Sequence, residues 1–359
     1  MSDNSRIISL IKSRKYLIFC LKGLFINDFK NEINLINKTK ISIILPIFNC
    51  QKTIIPTIRS IQNQNMKEFE IILVNDFSTD NSLKIIQELA YKDHRIKIIK
   101  NNKNMGTLYS RCVGTLNAKG KYTFPLDNDD LFMDYNLFEI IFKEAEKGNF
   151  DIVGFKAIRG FNYFIHISEL IDDVFHDHKE NLILYQPELG IHSLTKNKKF
   201  CPNDIHIWGK SIKTEIYKMA INSLGKNKYS YFIVWAEDTS MVFILYNLAQ
   251  SYKFISKYGV FHLMSEITSS FTQPNDNKMF GEIFLLEIIF NFSKNNLESK
   301  KIVIEKLLEI RNSDFFSLSN KNNSIYLKNI LKKVIECKYI IKEDKSHIKK
   351  IFYNLTSTI

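Results

Sequence analysis

Three carboxylates crowd into four positions of the stretch FPLDNDDLF, at Asp127, Asp129 and Asp130. Like charges this close repel one another, and two arrangements would relieve the repulsion. Such oxygen ligands suit a hard divalent cation, Mn2+ or Mg2+, which needs only one or two protein carboxylates and keeps water and substrate phosphate as its other ligands. Alternatively, Asp129 or Asp130 caps a helix entered near Leu131. The string alone fits both. Asn49 and Asp76 also follow apolar runs, and Asp76 could equally form an Asx-turn or cap before the next helix. His176 and His178 in FHDH could mimic a metal pair. Their spacing puts them on one face only in a strand, and no further ligand cluster lies nearby in sequence, so they read as surface residues.

These residues sit at the ends of a regular pattern. ISIILPIF (41–48) and FEIILVND (69–76) are apolar runs rich in β-branched residues, as in strands buried on both faces. Pro46 is expected to end the first. RIKIIK, KYTFPLD and FDIVGFKAI read as three further strands. Between them lie helical patterns: KTIIPTIRSIQNQ with Thr53 as N-cap, STDNSLKIIQELAYK with Asp80 as cap, GTLYSRCVGTLNAKG ending at Gly120, and YNLFEIIFKEAEKG stopped at Gly148. Strands alternating with helices from about 40 to 158 predict an α/β fold with a mostly parallel sheet, whose ligands bind beyond the carboxyl ends of the strands. Asn49, Asp76 and the acidic stretch 127–130 all fall there. Residues 159–205 lose the pattern and are expected to form an irregular, pocket-shaping insertion. WGKSIKTEIYKMAI and EDTSMVFILYNLA read as helices, and KFISKYGVFHL as a strand. Three parts are expected: an N-terminal helical segment (1–39), a main domain (40–272) and a helical C-terminal extension (273–359).

Composition narrows the function. Of 359 residues, 45% are hydrophobic, enough for a substantial core. The net charge of +12 is spread over lysines that mostly read as solvated surface, while remaining compatible with an anionic ligand. Zinc-finger, heptad and RNA-recognition signals are missing, so nucleic acid is not an expected partner. Five separated cysteines with no CxxC pair argue against a disulfide framework or structural zinc and for a reducing, cytoplasmic setting. YLIFCLKGLFI (16–26) is too short to span a bilayer and suits an amphipathic segment with peripheral membrane contact. Neither a dinucleotide fingerprint nor a P-loop follows the first strand, so phosphates need another counter-charge.

Four segments in order, ILPIFN, ILVNDFSTDNS, NMGTLYSRCVGTLNAKG and FPLDNDD, together resemble family 2 glycosyltransferases of the GT-A fold. The resemblance is strong over 41–158 and extends more weakly to about 272. It implies that Pro46, Phe48 and Asn49 line the nucleoside pocket, with Phe48 near the base. Asp76 would accept a hydrogen bond from the base, suiting uracil, and Arg111 would reach base or phosphates. Asp127 would serve ribose or metal, and Asp129, with Asp130 as alternative, would bind the metal. Asn75 stands where the family often has Asp, and Phe77 where it often has Gly. WAEDTS resembles the family's acidic pair, which would make Asp238 the base of an inverting reaction and Glu237 its orienting partner; helix capping is the other reading. Trp235 could stack on a sugar, and His262 could lie near the metal or diphosphate.

The implied function is a metal-dependent hexosyltransferase-type enzyme. It would move a sugar from a nucleoside-diphosphate donor, UDP-linked by preference, to a hydroxyl of a glycan, lipid or protein. The alternative is a non-catalytic nucleotide-sugar or glycan-binding protein on the same fold.

Overall fold

The computed structural model describes residues 39–160, 172–173, 182–186, 206–233, 236–264 and 275–292, with isolated positions 332, 346 and 349. The N-terminal segment to residue 38, most of the 159–205 insertion with His176 and His178, Trp235, and most of the C-terminal extension lie outside the described residues.

The apolar run predicted first forms β1 (Ile41–Ile47), buried along its whole length and paired in parallel with β2 (Phe69–Asn75) and β4 (Tyr122–Pro125). It runs one residue past Pro46, whose carbonyl accepts a hydrogen bond from Asn128 Nδ2 at 2.9 Å. β3 (Ile96–Lys100) adds to the far side of β2, again parallel. Helices α1 (Ile54–Gln62), α2 (Ser82–Lys92) and α3 (Thr107–Leu116) make the crossovers, and α4 (Leu137–Gly148) follows β4. Each buries a stripe: Ile54, Ile58 and Ile61 on α1, and Leu137, Phe138 and Ile141 on α4. β1 separates two apolar layers. Ile41, Ile43, Leu45 and Ile47 enter the main core, while Ile44 packs with Ile72, Val74 and Ala118 in a smaller one.

Beyond β4 the sheet becomes mixed. WGKSIKTEIYKMAI is not one helix: Lys210–Lys213 is a strand and Thr214–Leu224 a helix, α5. Numbering along the chain, β5 is Leu131–Phe132, β6 Ile152–Gly160, β7 Asp172–Asp173, β8 Ile183–Tyr185, β9 Lys210–Lys213 and β10 Ser251–Leu263. The order is β3-β2-β1-β4-β9-β6-β10-β5, with β7 on β6 and β8 on β10. β9 is antiparallel to both β4 and β6, and β6 and β10 are parallel. A short helix, α6 (Lys226–Tyr229), precedes α7 (Glu237–Leu248). α8 (Asn275–Phe292) sends Ile283, Phe284 and Ile289 into the same core as α7, and Lys228 reaches its Glu287 at 3.0 Å.

Two expected caps differ. α3 ends at Leu116, not at Gly120. Gly120 instead lies against β1, where a Cβ would come within 2.6 Å of the Ile41 carbonyl carbon and the Ser42 nitrogen. Thr53 precedes α1 without a side-chain capping bond, whereas Asp80 accepts the Ser82 N–H at 2.9 Å, as expected of a cap.

Candidate functional site

The acidic loop does not cap a helix. The chain passes from it directly into β5, and the next helix starts only at Leu137. Aromatic packing clamps both of its ends. Phe124 and Phe132 each meet Phe138 edge-on, at 5.3 and 5.0 Å, which adds about 0.5–1.5 kcal/mol per pair beyond area burial. Hydrogen bonds hold it between the clamps: Thr57 Oγ1 to the Asn128 carbonyl at 3.1 Å, Asn128 Nδ2 to the Pro46 carbonyl, and the Phe132 N–H to Ser60 Oγ at 3.1 Å. The fold thus holds three mutually repelling acids beside the carboxyl end of β1.

The three acids face different partners. Asp127 is half-buried and paired with Arg111 Nη2 at 2.5 Å. Asp130 is fully buried; its Oδ1 accepts from His262 Nδ1 at 2.9 Å and the Leu263 N–H at 3.2 Å, and its Oδ2 has no hydrogen-bond partner. Asp129 is half-buried between them. Burial, then the neighbouring Asp130 and Asp127, push its carboxyl up to about 8. Burial alone would lower His262, but the facing Asp130 carboxylate raises it to about 9.

Arg111 joins this loop to α7. Its guanidinium is buried and binds Asp127 through one nitrogen and Asp238 Oδ1 through the other. Burial opposes that charge, yet Asp238 and Asp127 outweigh it and hold Arg111 firmly protonated. Asp238 Oδ2 accepts the Ile207 N–H at 3.3 Å, so Asp238 points across to neighbouring elements and does not cap its own helix. Burial raises Asp238 despite Arg111, and burial with the Asp238 charge raises Glu237 to about 8. Ala236, just before this pair, holds a left-handed φ of 58°.

At the ends of β1 and β2 the sequence-predicted residues also meet. Asn49 Oδ1 accepts the Thr79 N–H at 2.8 Å, the Asn49 N–H donates to Ser78 Oγ at 3.2 Å, and the Asp76 N–H donates to the Ile47 carbonyl at 2.8 Å. Phe48 is exposed beside them. Asp76 is buried, and its carboxylate accepts from Asn101 Nδ2 at 2.7 Å and from the Met105 and Gly106 N–H groups at 2.8 and 2.7 Å. It therefore orders the loop that enters α3 and does not cap the helix following β2. Arg111 touches carboxylates of the acidic loop and α7, not the Asp76 cluster.

Sequence reasoning missed an aromatic stack. Trp208 lies between His206 and His262, with ring centroids 4.4 and 4.8 Å away and planes within 15° and 19°. With Ile207 on Asp238, the segment His206–Trp208 touches both halves of the site. The H-x-W spacing was the only available signal.

A divalent cation fits one part of this site. The buried Asp130 Oδ2 has no hydrogen-bond partner, and burial with the neighbouring acids pushes the Asp129 carboxyl up, both of which a bound cation would relieve. Asp130 anchors His262 through Nδ1, in the manner of an outer carboxylate orienting a ligand histidine. Among the described residues no group of three or more His, Cys, Asp or Glu side chains forms a ready cage. A cation that keeps waters and bridges phosphate requires none.

The chain is similar to known proteins. The family model described as glycosyl transferase family 2 matches residues 42–224. A cholesterol galactosyltransferase of Borreliella burgdorferi is 38% identical over 120 residues, 33% of each chain. The Escherichia coli glucosyltransferase WfaP, described as UDP-Glc:alpha-D-GlcNAc-diphosphoundecaprenol beta-1,3-glucosyltransferase, is 37% identical over 136 residues, 38% of this chain and 50% of that protein. The matches thus span half or less of these relatives' lengths. Among solved structures, S. aureus TarS 1-349 in complex with UDP-GlcNAc superposes with a TM-score of 0.61 at 17% identity, over 88% of this chain and 89% of that one. That likeness speaks to the fold. No helix among the described residues is long and apolar enough to cross a membrane.

Proposed function

The chain belongs to glycosyl transferase family 2, and from that premise we propose that it transfers a sugar from a nucleoside-diphosphate donor, UDP-linked, to an acceptor hydroxyl with inversion. One observation carries the reading. A single buried guanidinium, Arg111, ties the donor-side loop at Asp127 to the acidic pair opening α7 at Asp238. On this reading residues 40–272 form the catalytic unit, and α8 of the 273–359 extension braces α7 from behind.

The roles follow from position. Phe48, Pro46 and Asn49 would border the nucleoside, with Asp76 holding the adjoining loop in shape. Mn2+ or Mg2+ would be held by Asp129 and by His262 once its imidazole gives up its proton, and would offset charge on the leaving diphosphate. Asp130 is buried and bound to His262, so it suits a positioning role better than direct ligation. Asp238 would take the proton of the acceptor hydroxyl as that oxygen attacks the anomeric carbon from the face opposite the diphosphate. Arg111 opposes the rise that burial imposes on the Asp238 carboxyl and fixes one of its oxygens, and Ile207 fixes the other. Glu237, raised to about 8 and hence protonated near neutrality, would donate a hydrogen bond to the acceptor. The acceptor would be a hydroxyl of a glycan, a lipid or a protein.

The test is release of nucleoside diphosphate from a panel of nucleotide sugars, with Mn2+, with Mg2+ and with EDTA. Metal-dependent release that falls at least 100-fold in Asp238→Asn, with nucleotide binding retained, supports the base assignment. Binding without release from any donor would instead favour a non-catalytic nucleotide-sugar-binding protein. Unchanged release in Asp238→Asn would remove that residue from the mechanism.

A further inference from the structure

Trp208 meets its neighbours in a way that filling the core does not require. It is 2% exposed, yet both of its faces carry histidines, His206 and His262, nearly parallel to the indole. Phenyl rings of the core meet differently: Phe124 and Phe132 lie edge-on to Phe138, with planes 80° and 84° apart. A face-to-face contact opposes tilting of each imidazole that lies against it.

His262 needs such a wall. The second side-chain torsion of histidine is broad, so rotamer preference leaves the tilt of the ring open. The Nδ1 bond to Asp130 Oδ1 selects which edge of the ring faces the carboxylate. It leaves the tilt about that bond unset, and the indole face sets it. The wall is itself held from behind. His206 closes its far face, and His206 Nε2 accepts from Arg159 Nη2 at 2.8 Å, since a guanidinium only donates. Arg159 on β6 is the register partner of His262 on β10. Neighbouring strands thus supply the two ends of one closed stack: His262, Trp208, His206 and Arg159. Lys210, buried on β9, fixes the backbone of this stack by donating to the His206 carbonyl at 2.6 Å. The residue between the two stacked rings, Ile207, gives its N–H to Asp238, so the stack cannot slide without disturbing that bond.

We propose that Trp208 is a positioning residue for the cation site, its indole face holding the His262 ring in the orientation in which that ring binds the metal. The proposal rests on the reading of His262 as a ligand and adds the residue that fixes how the ligand is presented. Asp130 and Trp208 then divide the task, the carboxylate setting the edge of the ring and the indole its plane. Outer partners of this kind change metal affinity or activity about 10–100-fold when removed.

Mn2+ binding by the full chain without donor tests it, followed by loss of the free-ion electron paramagnetic resonance signal and set beside the thermal midpoint. Trp208→Leu is expected to bind Mn2+ about 10-fold more weakly. Trp208→Phe keeps a flat face and is expected to bind nearly as the parent does, although both variants lose core volume and melt earlier. A merely structural tryptophan would make affinity follow the midpoint, weakening both variants. His206→Ala removes the far side of the sandwich at a half-buried position, and is expected to weaken Mn2+ binding with little change in midpoint. Parent-like affinity in Trp208→Leu, or equal losses in Trp208→Leu and Trp208→Phe, overturns the proposal. If Trp208→Leu does not fold, parent-like affinity in His206→Ala overturns it. If the parent binds no Mn2+, or His262→Ala binds it as the parent does, the reading of His262 as a cation ligand itself fails and the proposal with it.

Discussion

Replacing Arg111 with leucine tests whether the site is held together by one charge. The guanidinium is 4% exposed and serves two carboxylates on different elements, Asp127 after β4 and Asp238 on α7. Breaking a buried ion pair by deleting one partner costs about 3–5 kcal/mol, because a charge is left buried without compensation. Here two charges are stranded, but Asp127 keeps about a quarter of its side chain in water (28%) and counts for less. A loss of about 4 kcal/mol at pH 8 is therefore expected. The loss must also depend on pH. Asp238 is already raised by burial, and without Arg111 it can only rise further. An acid whose folded pKa lies above its unfolded value destabilises the fold at every pH above that unfolded value, near 3.8, and the cost grows until the folded pKa is passed. Lowering the pH protonates the stranded acids and removes the cost. Urea denaturation of parent and Arg111→Leu at pH 8 and pH 5 should give a clearly smaller difference at pH 5. A loss below about 1 kcal/mol at pH 8, or equal losses at both pH values, would refute the clamp.

Two further perturbations separate function from packing. Asp129→Asn is expected to abolish metal-dependent donor turnover while raising stability, and more so at pH 8 than at pH 5. The parent carboxyl, pushed up to about 8, costs stability as pH climbs from its unfolded value near 3.8 towards that point; an Asn variant less stable than the parent at pH 8 in urea would contradict this. Gly120→Ala should lower the denaturation midpoint by about 1–3 kcal/mol equivalent, because its Cβ would press to 2.6 Å on the rigid backbone of Ile41 and Ser42; an unchanged midpoint would mean β1 can yield there.

Apart from the two-residue β5, which no sequence signal marked, the strands and helices up to β6 were legible because their signals are local. Four isoleucines in a seven-residue run mark β1, and Ile54, Ile58 and Ile61 mark the buried face of α1. β9 was not legible. Its residues are KSIK, two of them lysines, and Lys210 and Ser211 are buried polar groups that look like helix surface in sequence. What makes it a strand is its pairing with Thr123 and with Ile152, Val153 and Gly154, 56 to 89 positions earlier. The site divides in the same way. The acids announced themselves by crowding, which is a local property. The Arg111 partner Asp238 lies 127 residues away, and the Trp208 stack depends on β10 bringing His262 to it.

Backbone strain locates the site independently of residue chemistry. Four non-glycine residues among those described hold a positive φ: Asn49, Phe77, Asn149 and Ala236. Asn149 terminates α4, where a left-handed residue is routine. The other three stand after β1, after β2 and immediately before α7, beside the segments that carry Phe48, Asp76 and Glu237. At about 1–2 kcal/mol for each left-handed L-residue, the strain must be imposed by better-packed neighbours. For Asn49 and Phe77 the imposing element is the β1–β2 ladder with its Asn49 staples. For Ala236 it is α7, buried from Thr239 to Tyr246 and backed by α8. A helix so fixed cannot rotate to relax one residue at its start, so the turn at Ala236 sets the direction in which Asp238 leaves the helix. The core thus reaches the chemistry through a backbone dihedral, which is why a packing change in α8 should be felt at Asp238 although, among the described residues, no α8 side chain is bonded to it.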